Sequence, residues 1–193
     1  SSAHLDAFVD LNGNDQTVGQ LKRAITPSGN RLVTSLKPAT LTVTQTSSTY
    51  YYDGNLGGAL SLVKSGGGTL VLLGTGNTYT GVTVVNAGTL TVNAGCRLGH
   101  STRTVVNGGT LKLMTETALS DESELAIADG GAKVNVGAGI TETVKTLRLG
   151  GKLMRRGTYG ASSSDAFNLD DAHFSGTGKV LVLQGTETFL FIR

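Results

Sequence analysis

Residues 64–92 read KSGGGTLVLLGTGNTYTGVTVVNAGTLTV, and this stretch decides the fold. Two half-units alternate within it. One is a glycine, a threonine and then apolar side chains at every second position: Gly68-Thr-Leu-Val-Leu72 and Gly88-Thr-Leu-Thr-Val92. The other is an aliphatic pair running into a turn, Val84-Val85-Asn86-Ala87-Gly88. Period-two apolar residues bury one face of a strand and leave Thr, Lys or Asn on the other. Asn or Asp followed by Gly tolerates positive φ and turns the chain sharply between strands.

Outward from this stretch the glycine-led unit returns as Gly109-Thr-Leu-Lys-Leu113, Gly131-Ala-Lys-Val-Asn-Val136, Gly151-Lys-Leu-Met154 and Gly178-Lys-Val-Leu-Val-Leu183. Counted from Gly68 the spacings are 20, 21, 22, 20 and 27 residues. The turn half-unit returns as Val105-Val106-Asn107-Gly108-Gly109 and Ile127-Ala128-Asp129-Gly130-Gly131. A two-strand unit of this length cannot bury its apolar face alone, but stacked copies can, with Leu90 over Leu111 and Val92 over Leu113. Each such burial stabilises by roughly 1.5–3 kcal/mol. The spacing predicts a right-handed parallel β-helix of about six coils. The alternative is a β-sandwich of hairpins, because Asn-Gly turns also join antiparallel strands. At Gly131 the inward series moves to Ala132, Val134 and Val136, a one-residue slip that predicts a bulge.

The 193 residues fit one domain: irregular N-terminal coils over 1–60, regular repeats over 61–160, and a loop with a terminal cap over 161–193. With 28 Gly, 27 Thr, 2 Pro and 16% charged residues, the chain suits many short strands and excludes a helix bundle or collagen. A net charge of +2 excludes a nucleic-acid partner, and the pairs Lys22-Arg23 and Arg155-Arg156 read as solvated surface. No apolar run is long enough for a membrane-spanning helix. The start, Ser1 to Asp6, lacks a basic and apolar leader, which reads as a leader removed or as an excised piece. A lone Cys96 makes no internal disulfide and reads as a small buried hydrophobe.

The stretch 64–92 closely resembles the passenger-associated transport repeat of the β-helical passengers of bacterial autotransporters and related secreted proteins. Val9 to Leu21 looks like the stretch that often precedes this repeat. Leu147 to Gly160, with Phe174 to Val182, is similar to the closing unit of such proteins. The resemblance implies secretion or display on the bacterial outer surface and implies no single chemistry, because function sits in insertions on the scaffold. A whole autotransporter also carries a C-terminal membrane barrel, for which these residues leave no room. The apolar end, Thr188 to Arg193, reads as a final edge strand or a stub of something further.

The sequence contains no nucleophile elbow, no paired-His zinc motif, no Cys pair and no phosphate loop. Gly66-Gly67-Gly68 precedes a strand rather than a helix. His4, His100 and His173 stand far apart and read as surface residues. Asp129 takes the place that Asn86 and Asn107 hold in the sibling units and reads as a turn residue, and Tyr79 and Thr80 read as structural parts of the repeat. The segment that breaks the period, Gly160 to Phe174, gathers Asp165, Asp170, Asp171 and His173. These are the candidate catalytic residues, since paired carboxylates activate water. Asp165, Asp170 and Asp171 are also the candidate Ca²⁺ ligands; no other cofactor or metal site is expected. Glu116, Asp121, Glu122 and Glu124 read as a solvated loop or short helix. Tyr50, Tyr51 and Tyr52 are the candidate ligand-binding residues, because adjacent strand positions face both ways and an exposed ring stacks on sugars.

Three functional readings follow. The first is a surface scaffold or adhesion module with no chemistry of its own. The second is an extracellular hydrolase of the aspartic-protease type acting on host glycoprotein such as mucin, although the Asp-Thr/Ser-Gly peptidase motif is missing. The third is a glycan-binding surface built on Tyr50, Tyr51 and Tyr52.

Overall fold

In the computed structural model, which describes residues 7–23 and 30–186, the chain winds as a parallel β-solenoid of about seven turns. No helix occurs among the described residues. His4 and the run Thr188 to Arg193 lie outside them. The first sheet stacks Ala7–Asp10, Arg31–Val43, Asn55–Lys64, Thr83–Val85, Arg103–Val106, Glu124–Ile127 and Thr146–Leu149 as successive rungs. The second stacks Thr49–Tyr52, Thr69–Leu72, Thr89–Val92, Thr110–Leu113, Lys133–Val136 and Phe174–Ser175. The sandwich alternative fails on this pairing, because adjacent rungs run parallel and a tight hairpin cannot join parallel strands. The glycine-led units do not map one to one onto turns: the coils before Gly68 stack without that signature, and Lys152–Leu153 of the Gly151 unit folds back antiparallel on Thr146–Leu149 instead of adding a parallel rung.

Register explains the core. Leu70, Leu90, Leu111, Val134 and Phe174 lie one above the next, as do Leu72, Val92, Leu113 and Val136. On the facing sheet Leu41, Leu62, Thr83, Thr104, Leu125 and Leu147 form a third column. All of these side chains are buried. The turn glycines fit the same stacking: Gly88 has φ 67°, and a Cβ on it would lie 2.3 Å from the Gly68 carbonyl oxygen. A larger residue is excluded by both the backbone conformation and the coil below.

The slip at Gly131 places Ala132, Val134 and Val136 inward, as the sequence suggests. No bulge interrupts the ladder between Thr110–Leu113 and Lys133–Val136. The turn before the strand, 128–132, is two residues longer than its counterpart 107–109 and absorbs the slip, with Gly130 and Gly131 both at positive φ (86° and 99°). The ladder's register shift occurs elsewhere, where Leu36, Lys37 and Pro38 stand opposite Ala59. Pro38 has no N–H to give a ladder, so a bulge is the place for it.

Two polar side chains hold the core together. Lys64 occupies the inward column between Val43 and Val85 and is fully buried. Its Nζ donates to the carbonyls of Ser65 (2.8 Å), Gly66 (2.7 Å) and Ala87 (3.2 Å). Burial lowers its pKa from the ordinary lysine value. Asn77 joins three coils: its Oδ1 accepts the Leu56 N–H at 2.8 Å, and its Nδ2 donates to the carbonyls of Gly74 and Arg97, each at 2.9 Å.

Truncating Asn77 strands the Leu56 N–H and the Arg97 carbonyl, each costing about 1–3 kcal/mol when left unmade, while the Gly74 carbonyl keeps the Cys96 thiol. We therefore expect Asn77→Ala to lower unfolding stability by about 3 kcal/mol or more. Chemical denaturation followed by far-UV circular dichroism measures it. A loss under about 1 kcal/mol, the net worth of a single hydrogen bond, would show that the Asn is dispensable.

Candidate functional site

The period-breaking segment folds as a loop pinned to the last coils by polar contacts. Asp165 Oδ2 accepts from Lys179 Nζ at 2.7 Å, and this contact holds its carboxyl below the ordinary value. Asp171 Oδ1 accepts the Ser162 N–H at 2.8 Å, with the same effect on its carboxyl. The Lys133 ammonium bonds the Asp171 carbonyl. Burial raises the Asp170 carboxyl, but hydrogen bonds from His173 and the Ala172 N–H outweigh it, leaving the group below its ordinary value.

His173 is 8% exposed and held on both sides. Its Nδ1 lies 2.8 Å from Asp170 Oδ2, and its Nε2 lies 3.1 Å from Asp129 Oδ1. The expectation of a surface histidine is corrected here. Asp129 is corrected too. Val106 pairs with Ile127, so Ala128 stands where Asn107 stands, and Asp129 falls one place further along, opposite Gly108. The displaced carboxylate is the one that reaches the His173 ring. Asn107 instead donates through Nδ2 to Asn86 Oδ1 at 3.0 Å.

Of the four candidate catalytic residues the structure brings together Asp170 and His173, and gives Asp165 and Asp171 separate partners. A general base presents one ring nitrogen to substrate, and here that nitrogen faces Asp129. Among the described residues no group of three or more His, Cys, Asp or Glu is arranged to hold a metal ion.

The tyrosines alternate across their strand. Tyr52 is buried, Tyr51 points outward at 49% exposure, and Tyr50 is half-buried with the Lys22 ammonium 5.8 Å from its ring centroid. Cys96 is fully buried, its Sγ donating to the Gly74 carbonyl at 2.9 Å, and burial pushes the thiol up to about 11. Glu116, Asp121 and Glu122 lie exposed around turns, and none is helical. Glu124 sits on a strand, bound by Arg103 Nε at 2.8 Å and Arg148 Nε at 2.9 Å.

Glu142 escaped the sequence reading. It is fully buried, with its carboxylate accepting the N–H of Ala118 (3.1 Å) and Leu119 (2.9 Å). Burial raises its pKa to about 7 against those two bonds, and the charges of Asp121 and Glu116 raise it further. A signal was present: in Thr141-Glu-Thr-Val144 the Glu is in phase with the inward Val144.

Residues 62–92 match the family model described as the passenger-associated-transport-repeat. Over 180 residues, 92% of the chain, the sequence is 30% identical to the Adhesin BmaC autotransporter of Brucella suis biovar 1 (strain 1330). The matched part is 5% of that adhesin's length. No solved structure matches. A passenger-associated transport repeat thus lies at the centre of the solenoid, and a secreted or outer-surface location goes with it.

Glu142 sets a pH dependence. Its folded pKa of about 7 exceeds its ordinary 4.5, so folding takes up a proton between these values. Stability is then full below pH 4.5 and falls as pH rises through 7, by on the order of 3 kcal/mol. Urea midpoints at pH 5 and pH 8 should show the fall, and Glu142→Gln should flatten it; an unchanged slope in that variant refutes the assignment.

For the loop, His173→Gln removes the bridge between Asp129 and Asp170. Amide exchange over residues 161–173 should quicken by about tenfold, the effect of losing roughly 1.4 kcal/mol of local protection, while Leu90 and Leu111 keep theirs. Equal exchange in the two proteins would show that the bridge holds nothing.

Proposed function

We propose that this chain is a length of adhesive passenger: a rigid surface solenoid that carries contact sites for host molecules. The observation that supports it most directly is the in-register parallel ladder centred on the passenger repeat. Such a ladder holds side chains at fixed spacing over the whole stack and needs no catalytic group to do so. The similarity to an autotransporter adhesin supplies the adhesive part of the reading. Because the matched part is a small fraction of that adhesin, the partner of the whole protein belongs to this proposal. The arrangement of Asp165, Asp170 and Asp171, each with its own protein partner, gives the hydrolase reading no support.

Beads coated with the purified chain test the proposal on cultured epithelial cells. Attachment should be saturable and competed by soluble chain. Attachment no greater than that of albumin-coated beads would remove the adhesive reading and leave a scaffold alone.

A further inference from the structure

A second surface feature lies far from the acidic loop, at the corner where the first sheet hands over to the second. Here the chain leaving Val43 turns through Thr44, Gln45, Thr46 and Ser47 into the strand Thr49–Tyr52. Gly19 and Gln20, following Gln16–Val18, border the same space. Together with Tyr50 these residues line a cleft of about 270 Å³.

Its chemistry is uniform. Every side chain in the lining is an amide, a hydroxyl or the Tyr50 ring, and none is a carboxylate, a cation or an aliphatic group. An apolar ligand would find little to bury against, and the lining itself is uncharged, the nearest named cation being the Lys22 ammonium 5.8 Å from the Tyr50 ring centroid. Gln45 is 1% exposed, and its Nε2 is fixed by donating to the carbonyls of Ser48 (2.8 Å) and Thr69 (2.6 Å). That orientation leaves its Oε1 without a hydrogen-bond partner although it is buried. A buried orphan acceptor is unfavourable until a donor reaches it. The Tyr50 ring adds a flat apolar face at the cleft wall.

We propose that this cleft binds a neutral saccharide ring, whose C–H face lies on Tyr50 and whose hydroxyls bond Gln20, Thr46 and Gln45. This names a partner class for the adhesive reading and rests on that reading for its setting. It also separates the three tyrosines: Tyr50 is the contact, Tyr52 is core, and Tyr51 points to the other side of the strand.

Saturation-transfer NMR on the full chain provides the test, with methyl β-galactopyranoside, methyl α-mannopyranoside, N-acetylglucosamine and 3′-sialyllactose as probes. Transfer to the ring protons of at least one of the three neutral sugars is expected. Tyr50→Ala and Gln20→Ala should each weaken binding about fivefold, the worth of roughly 1 kcal/mol of stacking or hydrogen bonding, and Tyr51→Ala should leave it unchanged. If Tyr50→Ala fails to fold by circular dichroism, the exposed Gln20→Ala and Thr46→Ala variants decide. No transfer from any probe overturns the site. So does transfer undiminished in these variants, or transfer confined to 3′-sialyllactose and abolished by Lys22→Ala. The bead assay, run on the same variants, separates the two claims. Sugar binding without attachment keeps the cleft and removes the adhesive reading. Attachment without sugar binding does the reverse.

Discussion

Every feature of this molecule depends on one constraint: backbone hydrogen bonds run from each coil to the next in register, at about 4.8 Å. A residue cannot choose its neighbours along the stack, because the ladder places it on its equivalent one coil below. An inward position in one repeat therefore falls on an inward position in the next, aliphatic in most coils and polar at Lys64, Thr83 and Thr104. The same spacing leaves no room for a Cβ at the turn above another turn. Gly88 over Gly68 and Gly109 over Gly88 are consequences of backbone lying on backbone, as the 2.2 Å approach of a Cβ on Gly109 to the Gly88 carbonyl makes plain.

A stack made this way has to account for each polar group that the register turns inward. Lys64 arrives inside because it is in phase with Leu60 and Leu62, and it stays there because three turn carbonyls surround its ammonium. Asn77 does the converse, offering one acceptor and one donor group to three coils whose own ladder bonds stop at the corner. Glu142 has only two N–H groups for its carboxylate, and the deficit appears as a raised pKa. The same logic sorts the repeat signature. In Gly74-Thr-Gly-Asn77-Thr-Tyr79-Thr-Gly81 the Asn ties coils, and Tyr79 fills the corner with its hydroxyl 2.6 Å from Thr83 Oγ1. A Cβ on Gly74 or Gly81 would meet the carbonyl of the coil beneath, 2.0 Å from Gly54 and 2.4 Å from Leu60.

Period-two alternation and near-constant glycine spacing made the ladder legible in the sequence, down to Leu90 over Leu111 and Val92 over Leu113. Those signals are local and repeat, so counting finds them. The long strands Arg31–Val43 and Asn55–Lys64 carry no glycine-led unit, and the coils they build were visible only as an irregular region. Counting also misplaced Asp129, since alignment by residue type matched Asp to Asn while the ladder matched Ile127 to Val106. The His173 bridge was out of reach for a related reason: Asp129 and His173 are 44 positions apart, and nothing in either segment announces the other. Glu142 and Lys64 could have been found, because both sit on the apolar phase of an alternating strand, where an ionisable residue must find partners or shift its pKa.

Departures from the period explain where this scaffold acquires individuality. Two extra residues in the turn 128–132 leave the strands in register and so cost the ladder nothing, and in that turn Asp129 falls beyond the asparagine column, where His173 meets it. The extended interval before Gly178 supplies that histidine together with Asp170. Two irregularities 44 residues apart thus form a contact that neither makes alone, and the loop between the last coils is held in place by it. The same holds at the other end, where the corner after Val43 is not yet part of a regular repeat and its side chains border a polar cleft instead of a ladder. Regular coils make the rod, and the register they impose lets an irregular residue be positioned accurately enough to touch a distant one.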